Sequence, residues 1–440
     1  MLLLACMPVA AATTLHAQDF LWDMRYGGDQ TDWATAIIRT NDGGFLLMGS
    51  SESVVGGPRA ISSGYVVKTD SAGNRQWDQA IGTAEHTALL AGQQMPDGGY
   101  LVVGYHTNRE TNPGQIARLD RNGTVLWQRS FGTDSSGAVV SLFDVDAATS
   151  TPEHGFLIAG RGLDSKIGYW KIDSLGALVW QKSYLGTAPD PEFPSVSEYP
   201  VGLAQLRDGG YVATGYTNAT ITGNYHAFAL RLNAQGDSVW WHEYQADADE
   251  GKENSYGSGI IQTDDGFMIV GSSTENTSIE YKALAIHADA NGIETGRSYV
   301  SQLDWGMKAD NFGFASIAPL GNGAYVATGT VTDLNTNLSQ ALLTVLSAQG
   351  VPVRTVGVGK TGDGPRGSAT IALPGSRFAI VGTAGSTTSV NSDALLIMAG
   401  PSAPSAAPAA EDLPTKLDLT ELDHERNAGG ARAASMQPTR

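Results

Sequence analysis

The sequence predicts an all-β protein that is built from repeated copies of one four-stranded unit. A short apolar strand that starts with an aromatic residue ends at a glycine seven times, and these glycines recur every 53 to 58 residues. The marker glycines are Gly49, Gly104, Gly160, Gly215, Gly271, Gly329 and Gly382. The repeat region shows no sustained helical periodicity. This period, with a strand that is apolar on both faces, favours a seven-bladed β-propeller of four-stranded antiparallel blades.

The strands of each unit can be placed from turn signals. In the first unit we expect strands A to D near residues 34–40, 44–51, 64–70 and 74–82. Asp42-Gly43 separates strands A and B, and Asp70 and Gly73 bracket the turn between strands C and D, as tight hairpins require. Four units place a tryptophan four residues after the second turn glycine, and we expect these rings to pack between neighbouring sheets: Trp77, Trp127, Trp180 and Trp240. The glycine that ends strand B suggests a β-bulge or a close backbone approach.

The two ends of the repeat array predict how the ring closes. The seventh unit stops after its third strand, near residues 392–399, whereas residues 20–27 resemble a fourth strand that precedes the first unit. Docking this N-terminal strand onto the last blade would close the propeller and leave no blade edge open for aggregation. The predicted propeller domain therefore covers residues 18–400.

Composition limits the partners and the compartment. The net charge is −18, from 27 basic and 45 acidic residues, which argues against nucleic acid and against anionic membranes. The chain lacks an apolar run long enough to span a bilayer. We expect a monomeric domain.

The two termini read differently from the repeats. Residues 1–17 resemble an export signal with cleavage after Ala17, which predicts a secreted, periplasmic or cell-surface protein. Cys6, the only cysteine, follows a short lipobox-like sequence, so a lipoprotein is the alternative. Residues 401–440 form a low-complexity segment that we expect to be a disordered tail.

The repeat also carries a family resemblance. The pattern Asp-Gly-Gly-aromatic, three apolar residues and Gly, followed by Asp-x-x-Gly-x-x-x-Trp, resembles the β-propeller repeat of secreted bacterial proteins. The segment from Asp120 through Gly123 and Trp127 to Gly132 is a close match. The resemblance covers roughly residues 20–400 and implies an exported propeller that serves as a binding or accessory module. It implies no catalytic residue.

The sequence contains no recognisable catalytic motif: we find no nucleophile elbow with a partner, no phosphate loop and no paired metal histidines. It therefore favours a non-catalytic binding or protein-interaction module that takes a glycan or a protein at the rim of the propeller. The candidate ligand-binding residues are aromatic residues near this rim: Trp33, Tyr105, Tyr216, Tyr256 and Trp305. Two alternatives stay open, a polysaccharide-acting hydrolase or lyase that uses rim carboxylates, and a structural subunit of a cell-surface assembly.

A second candidate site lies where strand A begins. Six units carry an acidic or amide side chain 17 or 19 residues before the marker glycine: Asp32, Glu85, Glu198, Asn254, Asp310 and Asp363. If these side chains converge on the channel mouth, their oxygens form a ring that suits Ca²⁺, although no cofactor is required by the fold. The local alternative is that each side chain caps its own turn by accepting backbone N–H bonds.

Overall fold

A computed structural model describes residues 20–53, 62–82, 86–107, 114–131, 142–162, 166–184, 198–218, 224–245, 253–275, 280–303, 311–321, 323–333, 338–358, 364–385 and 391–400. The predicted export signal and C-terminal tail lie outside these residues.

The described residues form 28 strands, numbered in chain order. The N-terminal strand is β1 (Phe20–Tyr26). Blade 1 contains β2 (Asp32–Arg39), β3 (Phe45–Ser51), β4 (Ser63–Thr69) and β5 (Arg75–Ile81). Blade 2 contains β6 (His86–Gln94), β7 (Tyr100–Thr107), β8 (Gly114–Leu119) and β9 (Val125–Phe131). Blade 3 contains β10 (Leu142–Ser150), β11 (Phe156–Gly162), β12 (Ile167–Ile172) and β13 (Leu178–Tyr184). Blade 4 contains β14 (Glu198–Gln205), β15 (Tyr211–Thr217), β16 (His226–Leu232) and β17 (Ser238–Tyr244).

The remaining blades follow the same order. Blade 5 contains β18 (Glu253–Gln262), β19 (Gly266–Glu275), β20 (Tyr281–Asp289) and β21 (Glu294–Val300). Blade 6 contains β22 (Asn311–Gly321), β23 (Ala324–Asp333), β24 (Leu338–Leu346) and β25 (Pro352–Val358). Blade 7 contains β26 (Arg366–Leu373), β27 (Arg377–Gly385) and β28 (Ser392–Ala399), and β1 is its fourth strand.

These sheets confirm the predicted fold, a ring of seven four-stranded antiparallel blades. Each blade is a meander in which consecutive strands pair, and its first strand lines the central channel. The closure prediction is confirmed as well. Strand β1 pairs antiparallel with β28, from Phe20 opposite Ala399 to Tyr26 opposite Ala394. The edge of the last blade is thus covered by the start of the chain.

The hydrophobic core is divided into seven clusters, one for each interface between neighbouring blades. Strand β3 shows why its sequence is apolar without alternation. Phe45 and Leu47 join the cluster shared with blade 7, whereas Leu46 and Met48 join the cluster shared with blade 2. The second strand of this blade is therefore buried on both faces. Its side chains pack alternately against the preceding blade and against the following blade.

The marker glycines mark a β-bulge in every blade. In blade 5, Gly257 and Gly259 pair with successive residues Gly271 and Val270, so Ser258 is an extra residue without a partner. A Cβ atom at Gly271 would lie 1.8 Å from the backbone oxygen of Tyr256. The first strand approaches too closely for a side chain here, which is why the repeat requires glycine.

The tryptophans of the fourth strands hold neighbouring blades together. A side chain at Gly123, Gly236 or Gly292 would collide with the tryptophan of the preceding blade, because each ring covers the turn glycine of the next blade. Trp22 of β1 covers Gly73 of blade 1 in the same way. The tryptophans therefore pack between blades as predicted, and the N-terminal strand reproduces the contact that covalently continuous blades make.

Candidate functional site

The central channel contains a cavity of about 730 Å³ that is lined by the first strand of every blade. The extra residue of each bulge lines this cavity, and we call these seven residues the waist ring: Thr35, Leu90, Asp146, Val201, Ser258, Ala315 and Ser368. Each blade thus places one bulge residue in the channel wall, and the type of this residue differs between blades.

The waist ring contains one ionisable group, the carboxylate of Asp146. Its Oδ2 lies 3.5 Å from Nε of Arg161, which belongs to the neighbouring strand of the same blade. The Arg161 guanidinium also lies over the ring of Tyr199 in blade 4, 4.4 Å from the ring centroid, a cation–π distance. Arg161 therefore connects the channel wall to the aromatic residues at the rim.

Five tyrosines form a contiguous group at this rim, which we call the tyrosine cluster: Tyr199, Tyr216, Tyr225, Tyr256 and Tyr281. Tyr199 and Tyr216 are stacked at 4.7 Å with an interplanar angle of 19°. Tyr256 lies 5.1 Å from Tyr216, 5.6 Å from Tyr225 and 6.4 Å from Tyr281 between ring centroids. The cluster extends across blades 4 and 5.

The repeat explains why these rings meet. Tyr199 and Tyr256 each precede a waist-ring residue by two positions, and Tyr216 directly follows the marker glycine of blade 4. Tyr199 and Tyr216 are paired across neighbouring strands. Tyr225 is held by a hydrogen bond from its backbone N–H to Oδ1 of Asn254, at 2.8 Å.

The hydroxyl groups of the tyrosine cluster differ from those of Tyr26 and Tyr244, which are buried between blades. Tyr26 donates a hydrogen bond to the carbonyl of Gly73 at 2.6 Å, and Tyr244 donates one to Gly292 at 2.9 Å. Within the described residues, no cluster hydroxyl makes a hydrogen bond, and the half-buried members keep theirs accessible to solvent. Five unpaired hydroxyls at one rim are available to a ligand.

Burial raises the pKa of two of these hydroxyls, those of Tyr216 and Tyr256. Burial, reinforced by neighbouring tyrosines, raises the pKa of Tyr256 to about 12. Burial also raises the pKa of Tyr216, and the nearby Tyr199 and Asp146 act in the same direction. Both groups therefore stay neutral at physiological pH and can donate as well as accept hydrogen bonds.

The structure brings two of the predicted ligand-binding residues together, Tyr216 and Tyr256. Trp33 lies in blade 1 at the position that Tyr256 occupies in blade 5, two residues before the bulge. Tyr105 lies in blade 2, directly after its marker glycine, and packs against the core shared with blade 3. Trp305 lies outside the described residues, as do the loops 185–197, 246–252 and 304–310 that carry many of the rim carboxylates.

The predicted calcium ring is described for three of its six members. Oδ2 of Asp32 accepts hydrogen bonds from the N–H of Gly28 at 2.9 Å and from Oγ of Ser53 at 2.7 Å, which is the capping alternative. Glu198 is buried, and Asn254 binds the Tyr225 backbone.

None of these three lines the channel cavity. The described residues contain no group of three or more His, Cys, Asp or Glu side chains arranged to hold a metal ion. Glu85, Asp310 and Asp363 lie outside the described residues, so the complete ring stays a prediction.

Sequence reasoning missed Tyr225, Tyr281, Arg161 and Asp146 as site residues. Tyr225 and Tyr281 stand at the entry to the third strand of their blades, where the repeat has no marker. Asp146 could have been found by aligning the bulge position of each unit, since it is the only charged residue there.

No family model and no curated protein sequence matches this chain. Among solved structures, it is similar to the β-propeller domain of Cps50 (Swd1) from Myceliophteria thermophila, with 11% identity, 86% of this chain and 99% of that chain covered, and a TM-score of 0.47. It is also similar to the polysaccharide lyase Uly1, with 11% identity, 88% and 94% coverage, and a TM-score of 0.53. The second likeness shows a shared fold.

The described residues contain no helix that could span a membrane.

Proposed function

We propose that the propeller is a non-catalytic binding module whose ligand docks on the tyrosine cluster beside the channel mouth. The carrying observation is that five contiguous tyrosines leave their hydroxyls unpaired, whereas Tyr26 and Tyr244 between the blades use theirs to join blades. Tyrosine offers a large, rigid contact area with few rotatable bonds, so binding to it costs little side-chain entropy. A surface of this kind suits recognition.

The geometry and charge favour a neutral glycan as the ligand class. The rings of Tyr216, Tyr225 and Tyr256 lie 5.1 to 5.6 Å apart, so no space remains between them for an ammonium group, which argues against a cation cage. The net charge of −18 disfavours anionic ligands, and the guanidinium of Arg161 already faces Asp146. Neutral hydroxyls and ring edges complement the hydroxyl and C–H groups of a sugar.

Affinity electrophoresis against laminarin, xylan and galactomannan tests this proposal, with alginate as an anionic comparison. We expect retardation by a neutral polysaccharide and a loss of affinity of about tenfold or more, which is about 1.4 kcal/mol, in Tyr216→Ala and Tyr256→Ala. Tyr256→Phe removes only a hydroxyl and should give a smaller loss. Tyr299→Ala is the matched control, because Tyr299 is 40% exposed on the outer strand β21.

Three outcomes separate the alternatives. Unchanged affinity in both cluster variants would contradict the site. Retardation by alginate alone would contradict the ligand class. Release of reducing ends or unsaturated products from a bound polysaccharide would support the hydrolase or lyase alternative instead.

We also propose that the protein is exported, since residues 1–17 resemble a cleavable signal. N-terminal sequencing of the protein recovered from outside the cytoplasm should start at Gln18. A lipid-modified Cys6 at the N-terminus would support lipoprotein processing instead.

A further inference from the structure

The channel beside the tyrosine cluster has the size of a small-molecule site. Its volume of about 730 Å³ falls inside the range of about 300 to 1,000 Å³ that is usual for ligand pockets. Many of the residues in its wall are small, such as Thr35, Ser258 and Ser368 at the bulges, and Leu90, Phe314 and Arg366 are among the larger ones. The channel at the waist ring is therefore open enough to accept a ligand group.

The waist ring combines hydrogen-bonding groups with apolar surface. Ser258 and Ser368 are half-buried, and their hydroxyls make no hydrogen bond within the described residues. Asp146 adds carboxylate oxygens whose charge is met by Arg161. Val201 exposes 37% of its surface to the channel. A neutral sugar ring, with hydroxyl groups on its edge and C–H groups on its faces, complements this mixture.

The waist ring and the tyrosine cluster are physically continuous. Asp146 pairs with Arg161, Arg161 lies over Tyr199, and Tyr199 stacks on Tyr216. Ser258 follows the cluster residue Tyr256 by only two positions on the same strand. A ligand that covers the cluster therefore lies directly beside the entrance to the channel.

We propose that the channel is an end-on subsite: one terminal sugar of a neutral glycan enters it and contacts the waist ring, while the following sugars lie on the tyrosine cluster. This inference rests on the proposed function but makes a separate claim. The module then recognises the ends of glycan chains. The number of modules that a polysaccharide binds should depend on the number of its chain ends and not on its length.

A plug attached after folding tests the subsite without risk to the fold. In a Cys6→Ser background, which removes the only natural cysteine, Ser258→Cys is purified, shown to fold by its thermal transition and then labelled with pyrene maleimide. Val353→Cys is the matched control, because Val353 is the extra residue of a bulge on the outer strand β25 and is 52% exposed.

Isothermal titration uses hexasaccharides prepared from laminarin, xylan and galactomannan. We expect the label at position 258 to weaken hexasaccharide binding by about tenfold or more, because it occupies the volume that a terminal sugar needs. The label at position 353 should leave binding unchanged.

The outcomes distinguish the two proposals. If the label at position 258 leaves affinity unchanged while Tyr216→Ala loses it, the end-on subsite is wrong and the binding module stands. If both changes leave affinity unchanged, or if the unmodified protein binds none of the three hexasaccharides, both proposals are wrong as stated for neutral glycans. Loss of affinity with both changes supports both.

Discussion

Tyr26→Phe tests whether the contact between the N-terminal strand and blade 1 stabilises the protein as much as the matching contact between two consecutive blades. Tyr26 of β1 donates a 2.6 Å hydrogen bond to the buried carbonyl of Gly73 in blade 1. Tyr244 of blade 4 makes the equivalent bond to Gly292 of blade 5, and both tyrosines are at least 95% buried. One contact spans the non-covalent seam, whereas the other joins covalently consecutive blades.

The expected loss of stability follows from the buried Gly73 carbonyl, which Tyr26→Phe leaves without a hydrogen-bond donor. Phenylalanine keeps the ring and its packing, but the carbonyl loses its partner at a place that water does not reach. An unsatisfied buried acceptor costs about 1 to 3 kcal/mol, so we expect Tyr26→Phe to lower the free energy of unfolding by this amount. Tyr244→Phe should give a similar loss, because its geometry and burial are similar.

Urea denaturation, followed by tryptophan fluorescence, measures both losses. The expected result is a lower midpoint at an unchanged m-value in each variant, since a single hydroxyl does not change the surface exposed on unfolding. A loss in Tyr244→Phe with no loss in Tyr26→Phe would refute the reasoning. That result would mean that β1 does not hold blade 1 in solution.

Three further perturbations address the closure, the bulge and the seam. Deleting residues 20–27 should expose the edge of β28 and cause concentration-dependent aggregation in light scattering; a soluble monomer of unchanged stability would contradict the closure. Gly271→Ala places a Cβ 1.8 Å from a backbone oxygen and should cost about 3 kcal/mol or more, whereas Gly296→Ala, where the nearest atom is 3.9 Å away, should cost less than about 1 kcal/mol; equal losses would contradict a steric requirement. Burial raises the pKa of Asp393, so its stabilising contribution is present below the pKa of the unfolded chain and is lost as pH rises through the folded pKa. Asp393→Asn should therefore raise the melting temperature at pH 7 and have little effect near pH 3, and the same change at both values would show that charge is not responsible.

Much of the fold could be predicted from the sequence because its constraints are local and repeated. A glycine that faces a bulge and a turn glycine with positive φ, such as Gly73, are required in nearly every unit, so they appear at a fixed period. His154 shows the limit of such patterns. It adopts a φ of 62° in the third blade, at the place where Gly43 stands in the first. A turn can thus keep its shape when its signature residue changes.

The candidate site could be predicted only in part, for a physical reason. The sequence predicts Tyr216 and Tyr256 as rim aromatics, but it does not show that their rings touch, because they belong to different blades and the contact depends on how the blades pack. Tyr225 and Tyr281 carry no repeat signature. The sequence does not indicate that the waist-ring residues form a group, because they share the bulge position of the first strand rather than a residue type.

The positions that vary between blades indicate which side of the ring the proposed ligand would meet. Two residues before each bulge, the chain has Trp33, Ala88, Asp144, Tyr199, Tyr256, Gly313 and Arg366. Directly after each marker glycine, it has Ser50, Tyr105, Arg161, Tyr216, Ser272, Thr330 and Thr383.

No single residue type recurs in every blade at these two positions, so the repeat does not fix their chemistry. Large aromatic residues occupy both positions only in blade 4, and blades 3 and 5 extend that surface through Arg161 and Tyr256. A ring that repeats its marker glycine in every blade is therefore asymmetric at its rim. Under the proposed function, that asymmetry would give the ligand one preferred side of the channel, next to the single carboxylate of the waist ring.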